Sequence, residues 1–394
     1  MRGEGVAVRT VGGPCAGCRT VVGSGEERVA DGTENHVDRT LTMTTPPSSP
    51  TSIPGNIPVI PDGSDGSDGS GSPGGPASSA AGGGAAAREA ASPRRLHYGA
   101  FYGLELLPED DGRPLAIVLG NCQAESIRVL LGDGPAAATR SVRVPPVFEL
   151  AEDDLPHLAR LLAEVDVLVA QPVRDDYRGL PLGTAQVARG LPDGARVVRI
   201  PPLRYAGLYP RHVIVRSGPA GEAGDPPVAP YHDLATAALA AGRAPLGPVP
   251  EVGVRAIAAE SVAQVELRER RHDTVVASDL LVPAGVDAAH TINHPGNTVL
   301  LGLAARVLDH LALSGEVVDP GRTLLRSILA PVLPETCRAL GLPTDAAREA
   351  WSINGTTVAD EEIRDRHLDW YAAHPGLAEH VLDARADTLA HLGG

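Results

Sequence analysis

From residue 96 onward the chain alternates between short, continuously apolar runs and longer segments whose apolar positions recur at helical spacing. Leu115-Ala-Ile-Val-Leu119 is apolar without a break, the pattern of a strand buried on both faces. Gly120-Asn121-Cys122-Gln123 follows at once, and Ile127, Leu130 and Leu131 then fall on one face of a helix. A short strand is predicted over Ser141–Val144, and a helix from about Glu152 to Glu164. Val165–Ala170 and Arg196–Ile200 read as two further strands. This alternation predicts an α/β fold with a parallel-sheet layer, in which Gly120–Gln123 forms a strand-to-helix turn.

After Tyr231 the pattern becomes mostly helical, with helices predicted over His232–Ala241, Val252–Arg271 and Thr298–Leu313. In the last of these, Leu300, Leu303, Ala304, Val307, Leu308 and Leu311 recur as one packed face. Further helices are predicted from Asp345 to the end. The folded region, residues 96–394, thus reads as an α/β part (about 96–230) and a helical part (about 231–394), with the active site between them.

Residues 1–95 carry no such pattern. From Thr44 to about Pro93 the chain is mostly Pro, Gly, Ser, Ala and Thr, a composition too poor in apolar surface to offset its ordering entropy, so a disordered tail is expected. Met43 opens a second plausible start, which would leave residues 1–42 as upstream sequence. Cys15 and Cys18 form a CxxC whose nearest further candidate ligand is His36, short of the four a structural zinc site needs, so no metal is assigned.

Charge narrows the function classes. The 394 residues carry a formal net charge of −15, and all 34 cationic side chains are arginine. A chain without lysine has no Schiff-base chemistry and no P-loop lysine. An acidic chain is unsuited to nucleic acid, which needs a basic face. No apolar run reaches the roughly 20 residues of a membrane span, and the N-terminus lacks a signal-peptide pattern. Four cysteines, two of them in the tail, make no disulfide framework. A soluble cytoplasmic protein without membrane insertion is expected; a homo-oligomer is compatible with all of this.

Cys122 is the main candidate for chemistry. It stands where a buried strand hands over to a helix, the ligand-binding edge of open α/β sheets, and a helix start favours a thiolate and can hold an oxyanion. The alternative is a small cysteine filling space. His294, in Asn293-His294-Pro295 ahead of a strong helix, is the leading base; His290, in Asp287-Ala-Ala-His290, competes with it. Gln171 ends the third strand and is placed to point into the same cleft. With Asn121, Gln123 and backbone N–H groups, it forms the expected oxyanion set.

Arg174 and Arg178 are candidate phosphate contacts in the loop that follows. Tyr205 and Tyr209, in a proline-rich turn, suit a wall for a flat ligand group or a hydrophobic corner. The run Leu267-Arg268-Glu269-Arg270-Arg271 reads as a solvated charged face, and Cys337 as structural.

Together these segments resemble the WcbI family of bacterial polysaccharide-biosynthesis enzymes, known from capsule acetylation. The resemblance rests on Gly120-Asn-Cys-Gln123, Gln171-Pro172, the tyrosine-rich turn ending at Pro210 and the Arg268-Glu269 run. Asn293-His294-Pro295 and Trp370-Tyr371…His374-Pro375 complete it, in order, from about Pro114 to Pro375. It implies an enzyme that binds coenzyme A and moves an acetyl group from acetyl-CoA to a sugar or glycan hydroxyl, with Cys122 and His294 in the cleft. A cysteine esterase or deacetylase on the same scaffold, and a sugar-binding protein without catalysis, are the competing readings.

Overall fold

Residues 92–393, apart from 133–135, 220, 223 and 318, are described by the computed structural model of the protein. They all fall within the unit Pro76–Gly394. The expectations for the tail, including Cys15, Cys18, His36 and the start at Met43, lie outside the described residues. The first described helix starts just ahead of residue 96: α1 (Pro93–His97) is capped by Ser92, whose hydroxyl accepts from the Arg95 N–H. Arg94 anchors that helix through a 3.0 Å ion pair with Asp154.

The α/β layer contains β1 (Leu115–Leu119), α2 (Gln123–Gly132), β2 (Arg140–Ser141), α3 (Leu155–Leu162), β3 (Val167–Ala170), α4 (Thr184–Ala188) and β4 (Arg196–Arg199). Its four strands are parallel in the order β2-β1-β3-β4. The register pairs Leu119 with Ala170 and Ala170 with Arg199. Successive strand side chains point to opposite faces. Ala116, Val118, Val167 and Val169 join one core, while Leu115, Ile117, Leu119 and Leu168 join another with Leu158, Leu161 and Leu162 of α3. That two-sided burial is why β1 and β3 are apolar throughout. β4, at the sheet edge, buries only Val198 and is otherwise exposed.

Four short strands follow, β5 (His212–Val213), β6 (Ser217–Gly218), β7 (Gly221–Glu222) and β8 (His232–Asp233), then α5 (Leu234–Ala240) and α6 (Glu251–His272). Next come β9 (Ala289–Thr291), β10 (His294–Pro295) and α7 (Asn297–Leu311). Val299, Leu300, Leu303, Ala304, Val307, Leu308 and Leu311 of α7 share a core with Ile127, Leu130 and Leu131 of α2. A helix of the second half therefore covers one face of the first half's sheet.

The last segment departs from expectation. After β11 (Ile328–Leu329) and α8 (Pro334–Ala339), residues read as helical form the hairpin β12 (Ala350–Ile353) and β13 (Thr356–Ala359), joined through Asn354-Gly355. Both turn residues have positive φ, 50° and 81°, the geometry that favours Asn-Gly in a two-residue hairpin loop. α9 (Asp360–Ala372), α10 (Leu377–Asp383) and α11 (Ala386–His391) complete the chain. Among the described residues no helix is long and apolar enough to cross a membrane.

Candidate active site

β1 and β3 end side by side, and the strand order reverses between them. The gap at their carboxyl ends is therefore the topological switch point where open α/β sheets bind ligands. Cys122 follows β1 there and Gln171 follows β3. Gln171 spans the gap: its Oε1 accepts the Asn121 N–H at 2.9 Å, and its Nε2 donates to Gln123 Oε1 at 3.1 Å. So close an approach requires glycine at 120, where a Cβ would stand 2.6 Å from Gln171 Oε1.

Gln123, only 3% exposed, binds three distant segments together. Its Nε2 donates to the carbonyls of Leu203 and Asn293, both at 2.8 Å, and its Oε1 accepts the Leu203 N–H at 3.0 Å. The amides of Gln123 and Gln171 are thus engaged in holding the turn, and the oxyanion role expected of them is not what the geometry shows. Other donors of the turn are spent as well: the Gln123 N–H goes to Asn121 Oδ1 at 2.9 Å, and the Ala124 N–H to the Asn121 carbonyl at 3.0 Å. Among the described residues the Cys122 N–H has no partner beyond its own thiol.

The Cys122 thiol is half-buried. Burial pushes its pKa up; the N–H groups of Cys122 and Gln123 and the Arg216 guanidinium pull the other way and do not prevail. The thiolate expected from the helix start is therefore outweighed by desolvation.

His294 lies in β10, and burial together with neighbouring His290 lowers its pKa to about 4. Its Nδ1 is enclosed without a hydrogen-bond partner. No hydrogen bond joins His294 to Cys122; the two occupy adjacent segments clasped by the Gln123–Asn293 bond. His290 is buried with both ring nitrogens unpartnered. Asp287 does not orient it: Asp287 Oδ2 accepts the Thr298 N–H at 2.7 Å, at the start of α7.

Three side chains missed in the sequence complete the surroundings. The Tyr231 hydroxyl lies 2.8 Å from both Thr291 Oγ1 and Asn293 Oδ1. Burial raises the Tyr231 pKa, and Cys122 is near enough to add to that rise. No local pattern marks Tyr231, because its partners are about sixty residues away in the chain.

The expected cofactor contacts are arranged differently. Tyr205 and Tyr209 are buried in the core, 4% and 2% exposed. The Tyr209 hydroxyl donates to the Ala289 carbonyl at 2.7 Å and accepts from Arg348 at 2.9 Å, so this turn is a packed corner and not a ligand wall. Arg174 and Arg178 are exposed, and Arg178 Nη1 donates to the Phe148 carbonyl at 2.8 Å. The charged run is solvated at Arg270 and Arg271, with Arg270 paired to Glu266 at 3.5 Å, but Glu269 is buried and accepts the N–H groups of Ala277 and Ser278 at 2.7 and 2.8 Å. Cys337 is fully buried, as expected of a structural cysteine. Among the described residues no cluster of His, Cys, Asp and Glu could hold a metal ion.

These features define an α/β protein whose candidate centre is a cysteine at the switch point, with a neutral histidine on the adjoining segment. The family described as "Polysaccharide biosynthesis enzyme WcbI" matches residues 115–316, just over half of the chain, and the protein belongs to that family of enzymes. A solved structure of WcbI, described as a novel polysaccharide biosynthesis enzyme in a native form without a disulfide bond between coenzyme A and one of its cysteines, shares the fold. The likeness has a TM-score of 0.60 at 19% identity and covers 71% of this chain and 98% of that one. Among curated proteins, none matches.

Proposed function

We propose that this protein is a coenzyme A-dependent O-acyltransferase, using acetyl-CoA to acylate a hydroxyl of a carbohydrate or glycan precursor. The observation that carries the reading is the unspent Cys122 N–H at the switch point, clasped to the segment of the neutral His294. An N–H without a protein partner at a strand-to-helix turn suits an acyl oxygen that gains charge during transfer. The related solved structure is described in terms of coenzyme A and a cysteine, which supports the same ligand here.

Coenzyme A supplies the acyl group as a thioester. His294 takes the proton of the acceptor hydroxyl and passes it to the departing thiolate, so its imidazolium exists only briefly beside a negative charge. The burial that keeps His294 neutral also makes it a weak base, and that nearby anion offsets the cost. The Cys122 N–H donates to the acyl oxygen. Asn121, Gln123 and Gln171 hold the turn in place. Because burial keeps the Cys122 thiol protonated at neutral pH, direct transfer is favoured over an acyl-enzyme on Cys122.

Calorimetry with coenzyme A and acetyl-CoA, joined to intact-mass analysis, tests this reading. Micromolar binding without a persistent mass increase on Cys122 is expected. His294→Gln should cost about 10²- to 10⁴-fold in transfer, the usual worth of a general base. A folded protein that binds neither ligand up to millimolar concentration overturns the proposal.

A further inference from the structure

One concavity of the protein is left unused by the transfer chemistry. It has a volume of about 160 Å³ and is lined by Arg204 after β4, Arg268 of α6 and Arg385 ahead of α11, with His212 and Ile292. Glu260 is the one carboxylate among its lining residues, and it stands 4.0 Å from His391 with a half-exposed side chain.

Among the described residues no carboxylate pairs with these guanidinium groups. Arg204 and Arg268 have no ion pair or hydrogen bond among the described residues, and Arg385 spends one nitrogen on the Ile214 carbonyl at 2.7 Å. Arg268 Nη1, Arg385 Nε and His212 Nδ1 are buried without any partner. Buried donors in that state are rare in native proteins and mark the place of a water, an ion or a ligand. Arg204, exposed at the rim, has its pKa lowered by partial desolvation and by the like charges of Arg268, Arg216 and Arg385. Like charges are held together at a cost that an anion would remove.

We infer that this concavity is a binding site for a phosphoryl or diphosphate group, held by Arg204, Arg268 and Arg385. Guanidinium forks match phosphate oxygens in geometry and charge, and a chain without lysine has no other strong cation to offer. Ile292 of its lining directly precedes Asn293 and His294, so the concavity and the candidate centre share one chain segment. The charge of Arg216 is felt at both Arg204 and Cys122. The pocket itself does not depend on the transferase reading; that reading bears only on whether the phosphate belongs to the acyl donor or to a phosphorylated or nucleotide-linked acceptor.

The probe is inorganic pyrophosphate, titrated by calorimetry into the full chain and into Arg204→Gln and Arg268→Gln variants. Pyrophosphate should bind the wild type, and each variant should lose about tenfold or more in affinity, the loss expected for one charge-assisted contact. The melting temperature of ligand-free Arg268→Gln should hold or rise, because an unpaired, partly desolvated charge has been removed; a structural arginine would do the reverse. Competition by coenzyme A, weakened in Arg268→Gln, assigns the site to the donor, whereas competition by a nucleoside diphosphate alone assigns it to the acceptor. Equal pyrophosphate affinity in wild type and variants, or no binding up to about 10 mM, overturns the site. Coenzyme A binding unaffected by the variants would then leave the transferase proposal standing alone, and pyrophosphate binding without coenzyme A binding would do the opposite.

Discussion

Gln123 Nε2 donates to the carbonyl of Asn293 at 2.8 Å, joining residues 170 positions apart and setting the segments of Cys122 and His294 against each other. The same side chain satisfies the Leu203 carbonyl and N–H and pairs with Gln171. Gln123→Leu keeps the volume but strands these buried groups. A loss of about 3 kcal/mol is expected, from several unsatisfied partners at roughly 1–3 kcal/mol each. Urea unfolding measures it, and a loss below about 1 kcal/mol would show that the clasp is dispensable.

Gly120 lies against Gln171 so closely that a methyl group cannot be added without moving it. Gly120→Ala should displace Gln171 Oε1 from the Asn121 N–H and cost about 1–3 kcal/mol, as overpacking in a core does. Thermal melts of Gly120→Ala beside Gln171→Ala test the mechanism. If the glutamine is the obstacle, adding Gly120→Ala to the Gln171→Ala protein costs less than adding it to the wild type.

Acid should destabilise the protein through its histidines. The His294 pKa falls from 6.5 to about 4 on folding, so between those values the unfolded chain binds more protons than the folded one. Stability from this group is complete above pH 6.5 and is lost as the pH falls toward 4, by about 3 kcal/mol in all. His232, His290 and His367 are also lowered by burial and add in the same direction. Urea midpoints at pH 7.5, 6 and 5 should therefore drop steadily, and less steeply in His294→Gln. An identical slope in that variant would remove His294 as a contributor.

Thiol chemistry should follow burial. Cys122, its pKa raised, should react with iodoacetamide at pH 7.5 more slowly than a free cysteine peptide, and faster as the pH rises. Arg216→Gln should slow it again at fixed pH by removing a cation that favours the thiolate. Cys337, fully buried, should stay unmodified in the native protein. Peptide mass mapping separates these sites from Cys15 and Cys18, and alkylation of Cys122 faster than the free peptide would mean that the helix start prevails over burial.

Much of the fold was legible because local pattern and burial coincide. β1 and β3 are apolar throughout since both of their faces are covered. α7 begins and ends within two residues of its predicted bounds, because its apolar stripe faces the core that also holds α2. The β12–β13 hairpin was missed although its signal was present: Asn354-Gly355 between Trp351-Ser-Ile353 and Thr356-Thr-Val358 is a two-residue turn flanked by strand-forming residues. The helical pattern on either side of it overrode that local cue.

The sequence by itself determined the order of the four strands of the parallel sheet, the strand-to-helix turn at Cys122 and the histidine ahead of α7. Each follows from backbone preferences and side-chain periodicity within a dozen residues. Only the tertiary structure decided how the polar groups are used. It turned Gln123 and Gln171 inward as clasps and buried Tyr205 and Tyr209. It also gathered Arg204, Arg268 and Arg385 around one concavity. The reason is physical: a polar side chain's role is set by whichever partner satisfies it once water is excluded, and here those partners come from segments remote in the chain.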